Sequence, residues 1–213
     1  MEIEKIPVFD IGDTLLPSHE KINEKVREKV VEAGVENPSE FPINKYNIYV
    51  PEEVNQWLVK HGIDADPEEI KQNYIDWEKK YLGEKTLPAL KKINEKFGPI
   101  GFISDNSLEA KKFYLKVFER AGLDYKGLVV SEEVGVKKPD PEIFREFIDN
   151  REEPAEDFVY FGNYVDRDKA AEEVGMDFVW VAEHHVFGSE TDGVKIPELK
   201  PENVEEALRE VEN

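Results

Sequence analysis

Four short clusters carry side chains able to do chemistry. Asp10 and Asp13 stand in Phe9-Asp10-Ile11-Gly12-Asp13-Thr14-Leu15, Ser104-Asp105-Asn106 lies near mid-chain, Lys137-Lys138 precedes Pro139-Asp140-Pro141, and Asn163, Asp166 and Asp168 share one segment. Together they offer a carboxylate, a hydroxyl, an ammonium and an acidic loop. Each cluster alone has a plainer account: turn acids at 10 and 13, Asn106 or Ser107 as a helix cap, Pro-Asp-Pro as a helix start, and acids favouring a helix N-terminus at 166 and 168. The chain carries a net charge of −20, from 48 acids against 28 bases. Such a surface repels an anionic substrate at long range, so a site for one needs local cations.

The elements that must position these groups follow from the apolar runs before them. Ile6 to Phe9, Pro99 to Ser104, Gly127 to Ser131, Asp157 to Gly162 and Asp177 to Ala182 read as buried strands. Helical patterns separate the later ones: Leu87 to Phe97, Ser107 to Ala121, Pro141 to Asn150 and Asp168 to Val174, with Pro201 to Val211 closing the chain. Strands alternating with helices of this length predict an α/β fold, a Rossmann-like three-layer core around a parallel sheet with right-handed crossovers. Ligand chemistry in such sheets gathers at the carboxyl ends of the strands, where all four clusters fall.

Residues 17–84 have a different rhythm. Ser18 to Gly34 repeats Ile22, Val26, Val30 and Ala33 on one helical face, 35–50 is broken by prolines and asparagines, and Pro51 opens a short helix ended by Gly62. Asp66 starts a further helix whose stripe of Ile70, Tyr74, Trp77 and Tyr81 runs to Gly83. At that spacing the stripe packs a small helical bundle, with Trp57 or Tyr81 at a pocket rim. The predicted division is a core of 1–16 and 85–213 interrupted by a helical insert at 17–84.

The ordered set of motifs resembles the haloacid dehalogenase (HAD) superfamily, in its phosphatase branch. Phe9 to Leu15 is similar to its first motif, Ile103-Ser104-Asp105-Asn106 to its second, Val136-Lys137-Lys138-Pro139-Asp140-Pro141 to its third, and Gly162-Asn163 through Asp168 to its fourth, with Val174-Gly175-Met176 after it. The insert falls where that family places a helical cap. The resemblance implies that Asp10 is a nucleophile that takes the phosphoryl group as an aspartyl phosphate. Thr14 would organise the nucleophile loop. Ser104, Asp105, Asn106 and Lys138 would form the phosphate-binding set, with Ser104 and Lys138 on the phosphate oxygens and Lys137 at the rim. It also implies Mg²⁺ as cofactor, shared by Asp10, the Gly12 carbonyl, Asn163 and either Asp168 or Asp166, Asp168 being preferred. A hard dication favours such oxygen ligands.

Two positions depart from the family pattern. Phosphatases of this kind carry a second aspartate two residues after the nucleophile, as acid and base; here that residue is Gly12, and Asp13 follows where glycine is usual. Adjacent residues of an extended segment point apart, so Asp13 does not simply inherit that task; it is a candidate acid and base if the loop turns its side chain back, and a turn or cap residue otherwise. Asn163 replaces a common aspartate and brings no charge. Losing general acid assistance costs about two to four powers of ten in rate, so acyl, enol or aryl phosphates should be favoured over alkyl ones. Gly12 and Asn163 also keep two other readings open: a metal-independent dehalogenase, and a catalytically weak binding or regulatory protein.

Composition sets the remaining bounds. The 213 residues, 39% apolar and 36% charged, describe a soluble globular chain without a ~20-residue apolar run. No signal peptide precedes the first strand, so the expected compartment is the cytoplasm. Cysteine is absent, which excludes disulfides and thiolate chemistry. The acidic balance argues against nucleic acid and anionic membrane as partners. A small phosphorylated substrate and a monomer or weak homo-oligomer are expected. His184-His185 reads as a solvated loop pair, since no acid sits at ligand spacing.

Overall fold

The structure is a computed structural model that describes residues 4–17, 56, 58–60, 62, 66, 72, 76–149, 151–184 and 188–212. Most of the helical insert, including the helix expected from Ser18 to Gly34 and the rim position Trp57, lies outside the described residues, as does His185.

Six strands form one sheet: β1 (Ile6–Phe9), β2 (Ile100–Ser104), β3 (Tyr125–Val130), β4 (Phe158–Gly162), β5 (Asp177–Val181) and β6 (Lys195–Ile196). Their spatial order is β3-β2-β1-β4-β5-β6 and every pairing is parallel. The order reverses between β1 and β4, the switch point at which open α/β sheets bind ligands. The helices are α1 (Leu87–Phe97), α2 (Leu108–Ala121), α3 (Ser131–Val134), α4 (Glu142–Asp149), α5 (Val165–Asp168) and α6 (Pro201–Val211).

Alternation along the strands divides the core into two layers of packing. Phe9, Phe102, Phe161 and Val179 meet Leu90 and Ile93 of α1, Tyr114 and Phe118 of α2, and Val204 and Leu208 of α6. Val8, Ile103, Tyr160 and Trp180 meet Ile143, Phe144 and Phe147 of α4 together with Ala170 and Ala171. Helices therefore cover both faces of the sheet, and the apolar runs read from the sequence are buried on both sides. Gly101 lets α4 approach closely, because a Cβ there would lie 2.3 Å from Phe147 Cζ.

Several boundaries differ from the sequence pattern. The helical stripe does not stop at Gly83: residues 76–81 are helical and pass through one π turn, Leu82–Thr86, directly into α1. Leu82 and Thr86 are buried there, and Thr86 Oγ1 donates to the Leu15 carbonyl at 2.7 Å. Such tertiary anchoring offsets the ~1 kcal/mol that a glycine costs inside a helix. Ser131 opens the single turn α3 instead of ending a strand. The helix expected over Asp168 to Val174 is α5 followed by a 3-10 turn, Lys169–Val174, and β6 was not foreseen at all. Ser107 is the cap of α2, its side chain accepting from the Ala110 amide at 3.1 Å.

Candidate active site

Asp10 follows the last residue of β1, its amide donating to the Phe161 carbonyl at 2.9 Å, so it extends the ladder by one bond and then meets the crevice. It is 7% exposed. Its Oδ1 accepts from the Ile11 amide at 2.8 Å, and its Oδ2 lies 3.0 Å from Lys138 Nζ. Burial raises its pKa to about 6, against the opposing pull of Lys138.

Lys138 is the centre of the arrangement. It is 3% exposed, whereas its neighbour Lys137 is exposed, as expected for a rim residue. Its ammonium donates to Asp168 Oδ1 at 2.6 Å and to the Tyr160 hydroxyl at 2.9 Å, in addition to facing Asp10. Burial works against its charge, but Asp10 and Asp168 outweigh that and hold its pKa well above the usual value. An ammonium has three donors, and here all three have partners.

Asp168 closes the far side. Its Oδ2 accepts from the Tyr164 amide at 2.9 Å, which folds the loop after β4 back on itself. Gly162 makes this possible, since a Cβ at that position would lie 2.4 Å from Asp168 Oδ2. Asn163 is joined to the loop after Asp10 through Thr14, whose hydroxyl donates to Asn163 Oδ1 at 3.4 Å, and its carbonyl accepts from Trp180 Nε1 at 3.0 Å. Asp166 stands elsewhere: it is exposed and accepts from the Ser189 amide at 3.1 Å, so of the two acids weighed for a metal only Asp168 adjoins Asp10.

The second cluster is also sorted by the structure. Ser104 is buried at the end of β2, and its hydroxyl has no hydrogen bond to any described residue. Asp105, grouped with the phosphate-binding residues, is occupied within the protein: Oδ1 accepts from the Lys138 amide at 3.0 Å and Oδ2 is ion-paired with Arg167. A carboxylate so placed positions the Lys138 backbone and would repel a phosphate. Asn106 Oδ1 accepts from the Ser107 amide at 3.0 Å at the start of α2.

Asp13 is 2% exposed and adopts the left-handed conformation, φ 55°, while its amide donates to the Leu16 carbonyl at 2.7 Å. Aspartate tolerates that region better than most residues, and glycine better still. The loop thus turns sharply at the position after Gly12. His184 departs from the solvated reading: its side chain is 11% exposed and its ring lies 6.5 Å from Tyr81, edge to face. Tyr81 belongs to the helical stem at 76–81, which thereby meets the segment after β5. Tyr160, Arg167 and Trp180 were missed by sequence reasoning. A hydroxyl and an indole N–H inside otherwise apolar strands were available signals, since such groups need partners when buried; Arg167 gave none.

The donor set fits Mg²⁺. Asp10, Asp168, the Asn163 amide oxygen and the Gly12 carbonyl are all oxygen donors, and one or two carboxylates with substrate oxygens and water suffice for this ion. Charge points the same way, since Asp10, Asp13 and Asp168 are buried with Lys138 as the only buried base among the described residues, Asp105 being paired with the partly exposed Arg167. No three His, Asp or Glu side chains among the described residues form a metal cluster by themselves.

Three comparisons bear on this site. A relative from Methanopyrus kandleri, a glyceraldehyde 3-phosphate phosphatase, is 28% identical over an alignment of 193 residues that covers 81% of this chain and 81% of that one. Among solved structures, a HAD phosphatase from Thermococcus onnurineus superposes with a TM-score of 0.57 at 20% identity, over 92% of this chain and 94% of that one. A 2-haloacid dehalogenase from Pseudomonas syringae gives 0.52 at 17% identity, over 97% and 98%, so the fold is common to both chemistries. The family model for haloacid dehalogenase-like hydrolases matches residues 7–181, from β1 through the end of β5, and with it the whole crevice built on Asp10 and Lys138: this chain is a hydrolase belonging to that family.

Proposed function

We propose that this chain is a Mg²⁺-dependent phosphohydrolase that acts on a small phosphorylated metabolite through an aspartyl phosphate on Asp10. The observation that carries the reading is the buried Lys138 ammonium held 3.0 Å from Asp10 and 2.6 Å from Asp168. It keeps a carboxylate ionised and oriented at the switch point of the sheet, with the open Ser104 hydroxyl on the neighbouring strand. Near neutral pH Asp10, with a pKa of about 6, is largely the anion that a nucleophile must be.

In the first step an Asp10 oxygen bonds to phosphorus as the bond from phosphorus to the leaving oxygen breaks. In the second, water bonds to phosphorus, the aspartyl ester breaks, and inorganic phosphate leaves. Ser104 donates to a phosphate oxygen, and Lys138 turns its longest contact, the one to Asp10, toward another. Mg²⁺, held by Asp10, Asp168, Asn163 and the Gly12 carbonyl, would supply further positive charge for the phosphoryl oxygens. Gly12 offers no proton to the leaving group, which favours substrates whose leaving oxygen is already acidic. The segment at 17–84, most of which lies outside the described residues, is read as the cap domain that such a site needs to exclude water. A cytoplasmic setting, with the protein as a monomer or weak homo-oligomer, agrees with this role; no helix among the described residues is long and apolar enough to cross a membrane.

The relative from Methanopyrus kandleri is named for glyceraldehyde 3-phosphate, an alkyl ester, and this defines the second arm of the test. Phosphate release is measured from an aryl phosphate and from glyceraldehyde 3-phosphate, with Mg²⁺ and with EDTA, for the wild type and Asp10→Asn. Faster turnover of the aryl ester, lost with EDTA and in the variant, is the expected result. Equal turnover of both esters would show that an acid other than residue 12 serves the site, and release unaffected by Asp10→Asn would overturn the reading.

A further inference from the structure

Tyr160 sits in the middle of β4 with no exposed surface, paired in register with Val8 of β1. Its ring faces the layer covered by α4 and lies 5.0 Å from Phe144, edge to face. From there the hydroxyl reaches two other motifs: it accepts from Lys138 Nζ at 2.9 Å and donates to the Ile103 carbonyl at 3.0 Å. The direction of both bonds is forced, because an ammonium only donates and a carbonyl only accepts. Burial, and then the Asp10 charge, push the phenol well above its ordinary pKa, so it remains a hydroxyl.

We infer that Tyr160 is a positioning residue that fixes the rotation of the Lys138 ammonium, so that its remaining two N–H bonds are aimed at Asp10 and Asp168. The ammonium turns freely about its last carbon–nitrogen bond unless three acceptors hold it. Asp10 and Asp168 are two, at 3.0 and 2.6 Å, and Tyr160 is the third. Without the hydroxyl, one buried N–H has no acceptor, and the ammonium drifts toward Asp168, the nearer and stronger partner, and away from the nucleophile. The Ile103 carbonyl, adjacent to Ser104, loses its donor in the same change. The kinetic consequence rests on the phosphohydrolase reading above; the geometric claim does not.

Tyr160→Phe keeps the ring and removes only the hydroxyl. Expected results are a kcat about ten-fold lower with KM within about two-fold, since small misplacements at a reacting centre cost rate more than binding. The second readout is ¹⁵N NMR of lysine side chains, in which the wild-type Lys138 ammonium gives a slowly exchanging signal that Tyr160→Phe broadens away. Phe144→Leu is the packing control; it loosens the same ring, lowering Tm while leaving kcat and the Lys138 signal in place. Site-specific 3,5-difluorotyrosine at 160, a poorer acceptor in the same fold, shifts the signal in the same direction if Tyr160→Phe does not fold. An unchanged Lys138 signal in both variants overturns the inference. Absence of any phosphatase activity in the wild type defeats the phosphohydrolase reading, and the NMR result then decides this one by itself.

Discussion

The buried Asp105 and the partly exposed Arg167 form an ion pair that grips the backbone of Lys138 from both sides. The carboxylate accepts from the Lys138 amide at 3.0 Å while Arg167 Nε donates to the Lys138 carbonyl at 3.3 Å. The loop that presents the lysine is therefore tied to the ends of β2 and β4 before its side chain makes any contact. Arg167→Ala leaves Asp105 buried without its partner and should destabilise the protein by roughly 3 kcal/mol, the scale of breaking a buried pair from one side. Asp105→Asn added to it should recover much of that loss, because the amide oxygen can still accept from Lys138. Urea denaturation of the single and double variants measures both; a single variant as stable as wild type would show that the pair carries no weight.

Without metal, the pH dependence of stability should centre on Asp10. Its pKa is 3.8 ordinarily and about 6 in the fold, so folding favours the protonated form. The stability it contributes is therefore complete below the ordinary value and is lost as pH rises through about 6. A shift of this size is worth about 3 kcal/mol at most. In EDTA, Asp10→Asn should gain on the wild type steadily between pH 4 and 7, and added Mg²⁺, which favours the anion, should flatten the wild-type curve. Parallel curves for the two proteins in EDTA would contradict the assignment of that shift to Asp10.

Asp13 tests the loop after Asp10. Asp13→Gly removes a side chain from a left-handed position, a gain of about 1 kcal/mol that the greater freedom of glycine in the unfolded chain nearly cancels. As a turn residue, Asp13 should be replaceable with kcat/KM for aryl and alkyl phosphates changed by only a few-fold. A drop of two or more powers of ten confined to the alkyl ester would identify Asp13 as the missing acid.

Glu78 and Tyr114 join the helical stem to α2. The Tyr114 hydroxyl donates to the buried Glu78 carboxylate, and burial holds that carboxyl above its usual pKa. A raised carboxyl stabilises the fold fully below the ordinary value and loses this as pH rises through the higher one. Glu78→Gln, which keeps an acceptor and drops the charge, should hold stability nearly level where the wild type declines between pH 4.5 and neutrality. Tyr114→Phe should cost about 1–3 kcal/mol, more at neutral pH than at pH 4.5, because a charged acceptor is then left without its donor. Thermal denaturation across that range reads both effects.

Those variants also mark where the sequence was informative and where it was silent. The strands bearing Asp10, Ser104 and Asn163 were legible because burial on both faces leaves unbroken apolar runs, and the helices Leu87–Phe97 and Pro201–Val211 because one face repeats cleanly. A two-residue strand such as β6 has no room for a period. Gly83 looked like a stop because local propensity cannot register the anchoring of Leu82 and Thr86. Arg167 was invisible for the same reason: its partners after β2 and after β3 are distant in the chain, and nothing about an arginine between two aspartates predicts which carboxylate it meets. Tyr160 was visible in kind though not in role, as a hydroxyl in an apolar strand, and the use of both Asp105 oxygens by Arg167 and the Lys138 amide left no local sign.

Gly162 gives this crevice a mutational boundary. The space where any other residue would put its β-carbon is filled by the carboxylate of Asp168. Every amino acid but glycine carries that carbon, so all nineteen substitutions there displace the same acid and, through it, Lys138 and Asp10. Position 162 is closed to drift by geometry alone, and a lineage that altered it would have to rebuild the far wall of its active site in the same step.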